Sequence, residues 1–337
     1  MPLSGLRVRK GLKMLKDSYG RTINYLRISV TDRCNLRCRY CMPDGIEQVP
    51  MEELLTYEEI AFVCAQAAGL GIDRLRITGG EPLVRKDCGK LAAMLKQIPG
   101  VKHVMLTTNG VLLAEHLDEL LAAGIDGINI SLDTADREQY KAITGRDELE
   151  RVLRSVRMAA GKLPVKINCV VQRGLNEDAP EQLALLARDA PVDVRFIELM
   201  PIGAARAPET VANASVLQRI EQRYGRTADD PEKRGNGPAV YRRPEGFEGS
   251  IGFISAVHGK FCGSCNRLRL TSIGELKPCL CYGDVIPLRE ILRDGAPRKE
   301  ERIREKIREA AESKPEAHCF ERRRDITENR KMAQIGG

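Results

Sequence analysis

Cys34, Cys38 and Cys41 stand in the run Cys-Asn-Leu-Arg-Cys-Arg-Tyr-Cys, a C-x3-C-x2-C spacing placed directly after a β-rich stretch. Three thiolates on one short loop can hold three irons of a [4Fe–4S] cube and leave the fourth iron without a protein ligand, open to a small chelating molecule. A closed zinc site wants four ligands, usually in C-x2-C pairs, so the cluster is the better reading here. A second group, Cys262, Cys265 and Cys279, is spaced C-x2-C-x13-C. It admits two readings. One is a zinc-ribbon half-site completed by Cys281 or His258; the other is a second three-cysteine [4Fe–4S] cluster with its own open iron. Arg267 and Arg269 lie immediately beyond Cys265 and point to an anionic ligand, because guanidinium forks match phosphate oxygens.

Composition agrees with metal or redox chemistry in a globular protein. The chain has 337 residues and 11 cysteines, an odd number, and its first twenty residues are basic with no apolar signal core. A secreted disulfide framework is therefore a poor explanation. No apolar run approaches the roughly 18 residues of a membrane span, and the expected location is the cytoplasm. The net charge of +7 comes from 54 basic and 47 acidic residues, interspersed along the chain. That balance suits an anionic small molecule better than a nucleic acid, which usually leaves a clustered basic footprint. The lack of Trp, with only 8 Tyr and 6 Phe, also weighs against base stacking. Neither nucleic acid nor membrane is an expected partner.

These residues need a scaffold. From Asn24 to Glu198 the sequence alternates β-rich runs with helical patterns. The expected strands are Tyr25–Val30, Arg74–Ile77, His103–Leu106, Gly127–Ile130, Val165–Val170 and Val192–Ile197. Helices are expected over Thr56–Leu70, opened by a capping box of Thr56 and Glu59, and over Asp87–Gln97, Ala114–Ala123, Leu149–Ala160 and Asp178–Asp189. Six βα units imply an α/β fold with a parallel sheet, and six do not complete an eight-stranded barrel. An open partial (β/α)6 barrel follows, with reactive residues at the C-terminal ends of its strands. Thr78-Gly79-Gly80-Glu81-Pro82, Thr107-Thr108-Asn109-Gly110 and Ser131-Leu132-Asp133 all fall at such ends. The two glycines of the first would allow close approach to a ligand and unusual φ angles.

After Met200 the character changes. Pro201–Ala214 and Thr227–Ser250, rich in Gly, Pro and charge, read as loops around a smaller unit. Arg267–Leu270 and Glu275–Pro278 read as a hairpin, and Asp284–Arg293 and Lys299–Ala311 as terminal helices, the last a mostly charged, solvated one. The expected division is a barrel with an N-terminal extension over 1–200 and a C-terminal cluster domain over 201–337, closing the barrel.

The first cysteine loop resembles the signature of the radical S-adenosylmethionine (SAM) enzymes. In those the open iron binds the methionine part of SAM, and an electron from the cluster releases a 5′-deoxyadenosyl radical. The run Asp17-x-x-Gly20-Arg21-x-Ile23-x-Tyr25-Leu26-Arg27-Ile28-Ser29, the segment Arg195-Phe-Ile-Glu-Leu-Met200, Phe261-Cys-x-x-Cys-Asn-Arg-Leu-Arg-Leu270, Lys277-Pro-Cys279-Leu280 and the ending Ile335-Gly336-Gly337 extend the likeness. Together they resemble the GTP 3′,8-cyclase family, which opens molybdenum cofactor biosynthesis.

The resemblance implies two [4Fe–4S] clusters, on Cys34, Cys38 and Cys41 and on Cys262, Cys265 and Cys279, the second touching guanine. It implies that Tyr40, Gly80, Ser131 and Met200 line SAM, and that Arg27, Arg76, Thr107, Lys166, Arg267 and Arg269 surround GTP. Arg195, Gly336 and Gly337 would act in catalysis, with the Gly-Gly tail threaded into the channel. The radical would take the ribose 3′ hydrogen, and the carbon radical would attack guanine C8, giving 3′,8-cyclo-7,8-dihydro-GTP. Implied partners are an electron donor such as flavodoxin or ferredoxin and a downstream cyclic pyranopterin monophosphate synthase; a homodimer stays open. Cys281 stands where the family has an apolar residue, and Cys319 has no assigned role. The alternatives from the residues alone are a peptide-modifying radical SAM maturase and an iron–sulfur carrier or zinc-stabilised binding module.

Overall fold

Alternation in the first strand decides what the sheet does. In β1 (Tyr25–Ser29) Leu26 and Ile28 are wholly buried in the main core, while Tyr25, Arg27 and Ser29 take the opposite face. A computed structural model describes residues 14–336 apart from 207–209, 233 and 236. Its strands repeat this pattern: β2 (Arg74–Thr78), β3 (His103–Thr108), β4 (Gly127–Ser131), β5 (Val165–Val171) and β6 (Val192–Glu198). All six pair in parallel and in chain order, each a residue or so from its expected bounds.

The intervening helices cover the outer face. Helix α1 (Tyr57–Ala68) carries the expected capping box, with the Glu59 N–H on Thr56 Oγ1 at 3.1 Å and the Thr56 N–H on Glu59 Oε2 at 2.8 Å. It is followed by α2 (Cys88–Lys96), α3 (Leu113–Ala122), α4 (Arg137–Thr144), α5 (Leu149–Ala159) and α6 (Pro180–Arg188). The sequence reading left α4 unassigned, and likewise α7 (Asn213–Tyr224). Among the described residues no helix is long and apolar enough to cross a membrane.

The chain beyond residue 200 extends the same sheet at both ends. Its strands are β7 (Thr227–Asp229), β8 (Val240–Pro244), β9 (Ile251–Ile254), β10 (Arg267–Leu270), β11 (Glu275–Lys277) and β12 (Ile286–Pro287). The twelve-stranded order is β12-β11-β10-β1-β2-β3-β4-β5-β6-β9-β8-β7, so the barrel stays open. β10 is parallel to β1 and β9 to β6, whereas β11 turns back on β10 as the expected hairpin.

Three readings are corrected. Thr227–Ser250 is not all loop, because β7 and β8 pair within it. Their signal was hidden: these edge strands are held by charge, with Asp230 accepting from Arg234, Arg243 and Ser250, rather than by apolar alternation. Nor is Asp284–Arg293 one helix. Ile286 pairs with Leu276, Pro287 follows, and α8 covers only Arg289–Arg293. The last long helix, α9 (Lys299–Glu312), is more than a solvated surface, since it buries Ile303, Ile307, Ala310 and Ala311 in the main core.

Candidate active site

The inward faces of the strands line a cavity of about 780 Å³. Period-two geometry puts Arg27, Arg76, Thr107, Lys166, Arg195, Arg267 and Arg269 all on that face, where each lines the cavity. Register gathers them further: Arg27 lies between Arg269 on β10 and Arg76 on β2. Several are held in place. Arg76 donates to the Tyr25 hydroxyl and to Thr107 Oγ1 at 3.3 Å. Arg195 grips Asn168 Oδ1 through Nε at 2.9 Å and Nη2 at 2.6 Å. Lys166 Nζ donates to the Arg234 carbonyl.

So many cations on one wall, Arg76, Lys166 and Arg195 buried and the others half-buried, repel one another. Burial, then the charge of Arg195, brings the Lys166 ammonium down to about 8. Burial and Arg267 bring Arg269 down to about 10, and burial with Arg269 holds Arg27 well below its ordinary value. An anion placed among them would relieve both effects.

The first cysteine loop lies at the C-terminal ends of β1 and β2. The Gly80 N–H donates to the Thr31 carbonyl at 2.7 Å and the Glu81 N–H to that of Arg33 at 2.8 Å. This corrects the reading of the glycine pair. Neither Gly79 nor Gly80 has positive φ. They are glycine because the cysteine loop presses on them: a Cβ on Gly80 would meet the Arg33 and Asp32 carbonyl oxygens at 2.4 and 2.6 Å, and one on Gly79 the Thr31 oxygen at 2.7 Å.

Cys34, Cys38 and Cys41 all face the cavity, beside Tyr40, Gly80, Ser131 and Met200. Burial pushes the Cys34 thiol up to about 11 and Cys41 to about 12. A metal bound there would take these thiols as thiolates, displacing their protons. Three half-buried thiols on one loop, open to a cavity, are a donor set that fits a [4Fe–4S] cluster with one free iron. The Tyr40 hydroxyl donates to Asp133 Oδ2 at 2.8 Å, fixing the loop to the end of β4.

Cys262, Cys265 and Cys279 face the same cavity from the β10–β11 side. Burial would raise the Cys265 thiol, but Arg267 and Lys314 outweigh it and bring it to about 7. Lys314, which sequence reasoning missed, is buried and donates to the Pro278 and Arg267 carbonyls at 2.7 and 3.0 Å, tying the two arms of the site. Nothing in its charged surroundings marks it in the sequence. Cys281 turns away. It packs in a small separate core with Cys319, the two sulfurs 3.3 Å apart, and does not line the cavity. His258 pairs with Glu198 at 3.0 Å instead. Among the described residues no three His, Cys, Asp or Glu side chains converge as a single metal ion would need.

The tail reaches the site too. Met332 and Ala333 line the cavity, and Arg269 Nη1 donates to the Gly336 carbonyl at 2.5 Å. Gly336 has φ +75° and lies against Ser29 and Thr78. Gly337 lies outside the described residues.

Comparison with known proteins follows the two halves of the site. Residues 28–187 match the Radical SAM superfamily, and residues 192–320 match Molybdenum Cofactor Synthesis C. The crystal structure of Streptococcus suis SuiB bound to S-adenosylmethionine shares the fold, with a TM-score of 0.60 at 16% identity over 84% of this chain and 68% of that one. The fold and the segment that carries the first cysteine loop are those of radical SAM enzymes. GTP 3′,8-cyclase of Moorella thermoacetica is 45% identical over 96% of this chain and 100% of its own. That of Pelotomaculum thermopropionicum is 44% identical with the same coverage. The chain belongs to the GTP 3′,8-cyclase family.

Proposed function

We propose that this chain converts GTP to 3′,8-cyclo-7,8-dihydro-GTP, the first step of molybdenum cofactor biosynthesis. One observation carries the reading: a wall of buried and half-buried cations and two cysteine trios face a single cavity. In this reading Cys34, Cys38 and Cys41 hold the cluster that family membership implies, and Tyr40, Gly80, Ser131 and Met200 surround SAM. Cys262, Cys265 and Cys279 hold a second [4Fe–4S] cluster. Support comes from Cys281 facing Cys319 and His258 pairing with Glu198, neither of them lining the cavity. When bound, SAM and the clusters supply the radical chemistry that joins ribose C3′ to guanine C8.

The protein's own part is charge and position. Arg27, Arg76, Lys166, Arg267 and Arg269 offset the charge of the triphosphate, and their mutual repulsion makes the empty wall the less stable state. Thr107 adds a hydroxyl beside Arg76. Arg195 enters the reaction already oriented by Asn168, so little reorganisation is needed. Gly336 brings its backbone carbonyl to Arg269 in the channel, and the Gly-Gly tail acts there in catalysis. Residues 1–200 then carry the SAM half of the site and 201–337 the second-cluster half. An electron donor of the flavodoxin or ferredoxin kind supplies the reductant, and a cyclic pyranopterin monophosphate synthase takes the product.

The test is anaerobic. Reconstituted protein is assayed for iron and sulfide, then reduced with SAM and either GTP or a peptide. Cyclised GTP is the expected product. Arg267→Ala and Arg269→Ala should each weaken GTP binding by roughly 1.5–3 kcal/mol, the scale of a hydrogen bond to a charged group. Iron for one cluster only, or GTP affinity unchanged in both variants, would overturn the assignment.

A further inference from the structure

Lys277 and Glu328 form an ion pair that is almost wholly shut from water, with exposures of 0% and 1% and Nζ to Oε2 at 2.5 Å. Neither residue lines the cavity. A buried pair of this kind adds little net stability over well-packed apolar side chains, and its best-attested use is to fix register. What it can fix here is the tail. Lys277 is the last residue of β11, paired across the hairpin with Arg269, the residue that receives Gly336.

From Thr327 to Gly336 the chain is tied to the rest of the fold at several points. Thr327 Oγ1 accepts from the Gly283 N–H at 2.9 Å. Lys277 Nζ also donates to the Tyr282 carbonyl at 2.8 Å, which gives the ammonium one orientation. Arg330 bonds Glu328 at 3.1 Å and Glu275 at 2.5 Å, in a more exposed setting. Lys331 Nζ reaches the Gly45 carbonyl at 2.7 Å. Ile335 is buried in the small core with Ile202 and Phe320.

We propose that the Lys277–Glu328 pair is the peg that sets the register of the C-terminal tail, making both positioning residues for the cyclisation. The inference rests on the reading that the tail acts in catalysis. A slip of one residue puts each Cα where its neighbour's was, about 3.8 Å away, in the helical turn Met332–Ile335 as in the chain before it. That is enough to take the Gly336 carbonyl out of hydrogen-bond reach of Arg269 and to bring a side-chain-bearing residue against Ser29 and Thr78. The apolar contacts of Ile335 do not forbid such a slip, since hydrophobic burial is non-directional. The Glu328 carboxylate does, because the wholly buried Lys277 ammonium must stay against it while Arg330 holds it from the more exposed side.

The test uses the reconstituted holoenzyme in two backgrounds, full-length and lacking 332–337. Lys277→Met with Glu328→Leu replaces the pair without leaving a buried charge unpaired; Glu328→Gln is the second variant, should the double one fail to fold. In the full-length enzyme, iron content, KM for GTP and SAM cleavage should hold in either variant, and the melting temperature in the double one. Cyclised GTP formed per 5′-deoxyadenosine released should fall at least about tenfold, roughly 1.4 kcal/mol of lost transition-state stabilisation. In the truncated background the same substitutions should change nothing further. Unchanged coupling in the full-length variants overturns the peg, as does an equal fall in both backgrounds, which would place the effect on β11 itself. Full activity of the truncated enzyme would instead sink the reading of the tail.

Discussion

Raising the pH from about 7 to about 9.5 should release GTP, and Lys166 sets the size of the effect. Its ammonium sits near 8, because burial and then the neighbouring Arg195 disfavour the charge. The sign runs one way. Charged Lys166 favours the triphosphate, so binding is at full strength below about pH 7 and weakens as pH rises through 8. If the triphosphate restores the ordinary lysine value near 10.5, the 2.5-unit difference is worth about 3 kcal/mol at roughly 1.36 kcal/mol per unit. Affinity then falls towards tenfold per unit above 8, or about 30-fold by about pH 9.5. Equilibrium GTP binding to the anaerobic holoenzyme across this range measures it. Lys166→Met should bind more weakly at pH 7 and lose the slope between about 8 and 9.5. A slope that persists in Lys166→Met would assign the titration to another group, and a flat wild-type profile would refute the argument.

Cys38→Ala should abolish reductive SAM cleavage while the Cys262, Cys265 and Cys279 site still takes up iron, read by metal and sulfide content; retained cleavage would remove the first loop from the chemistry. Cys281→Ser should keep the second cluster and its spectrum, because its sulfur faces Cys319 and not the cavity. Burying the hydroxyl should lower stability by about 1–3 kcal/mol in a denaturation series. Gly80→Ala forces a Cβ to within 2.6 Å of two carbonyl oxygens of the cysteine loop. It should lose the first cluster and about 1–3 kcal/mol of stability, and a variant with normal iron content would show that the loop can move away.

Much of the site could be read from local pattern. The C-x3-C-x2-C loop, the pair Arg267 and Arg269 and the alternation in Tyr25–Ser29 are short-range features, and periodicity alone assigns their faces. The six parallel strands were legible for the same reason, as each buries an apolar stripe against its own helices. The β7–β8 edge was not. Its strands are fixed by ion pairs from Asp230 to arginines four and thirteen residues on, and charges carry no period.

Residue type and spacing determined which groups could bind a cluster, an anion or a nucleotide. Only the tertiary structure decided which of them meet. Pairing β10 with β1 brings the second cysteine trio to the cavity of the first, although more than two hundred residues separate them. It likewise decided that Cys281 faces Cys319 and that Gly80 is needed for the passage of a neighbouring backbone. Lys277 in the sequence is one lysine among many; the fold makes it the buried partner of Glu328. The physical reason is that long-range pairing depends on how the whole sheet buries its apolar face, a sum over many strands that no local window contains.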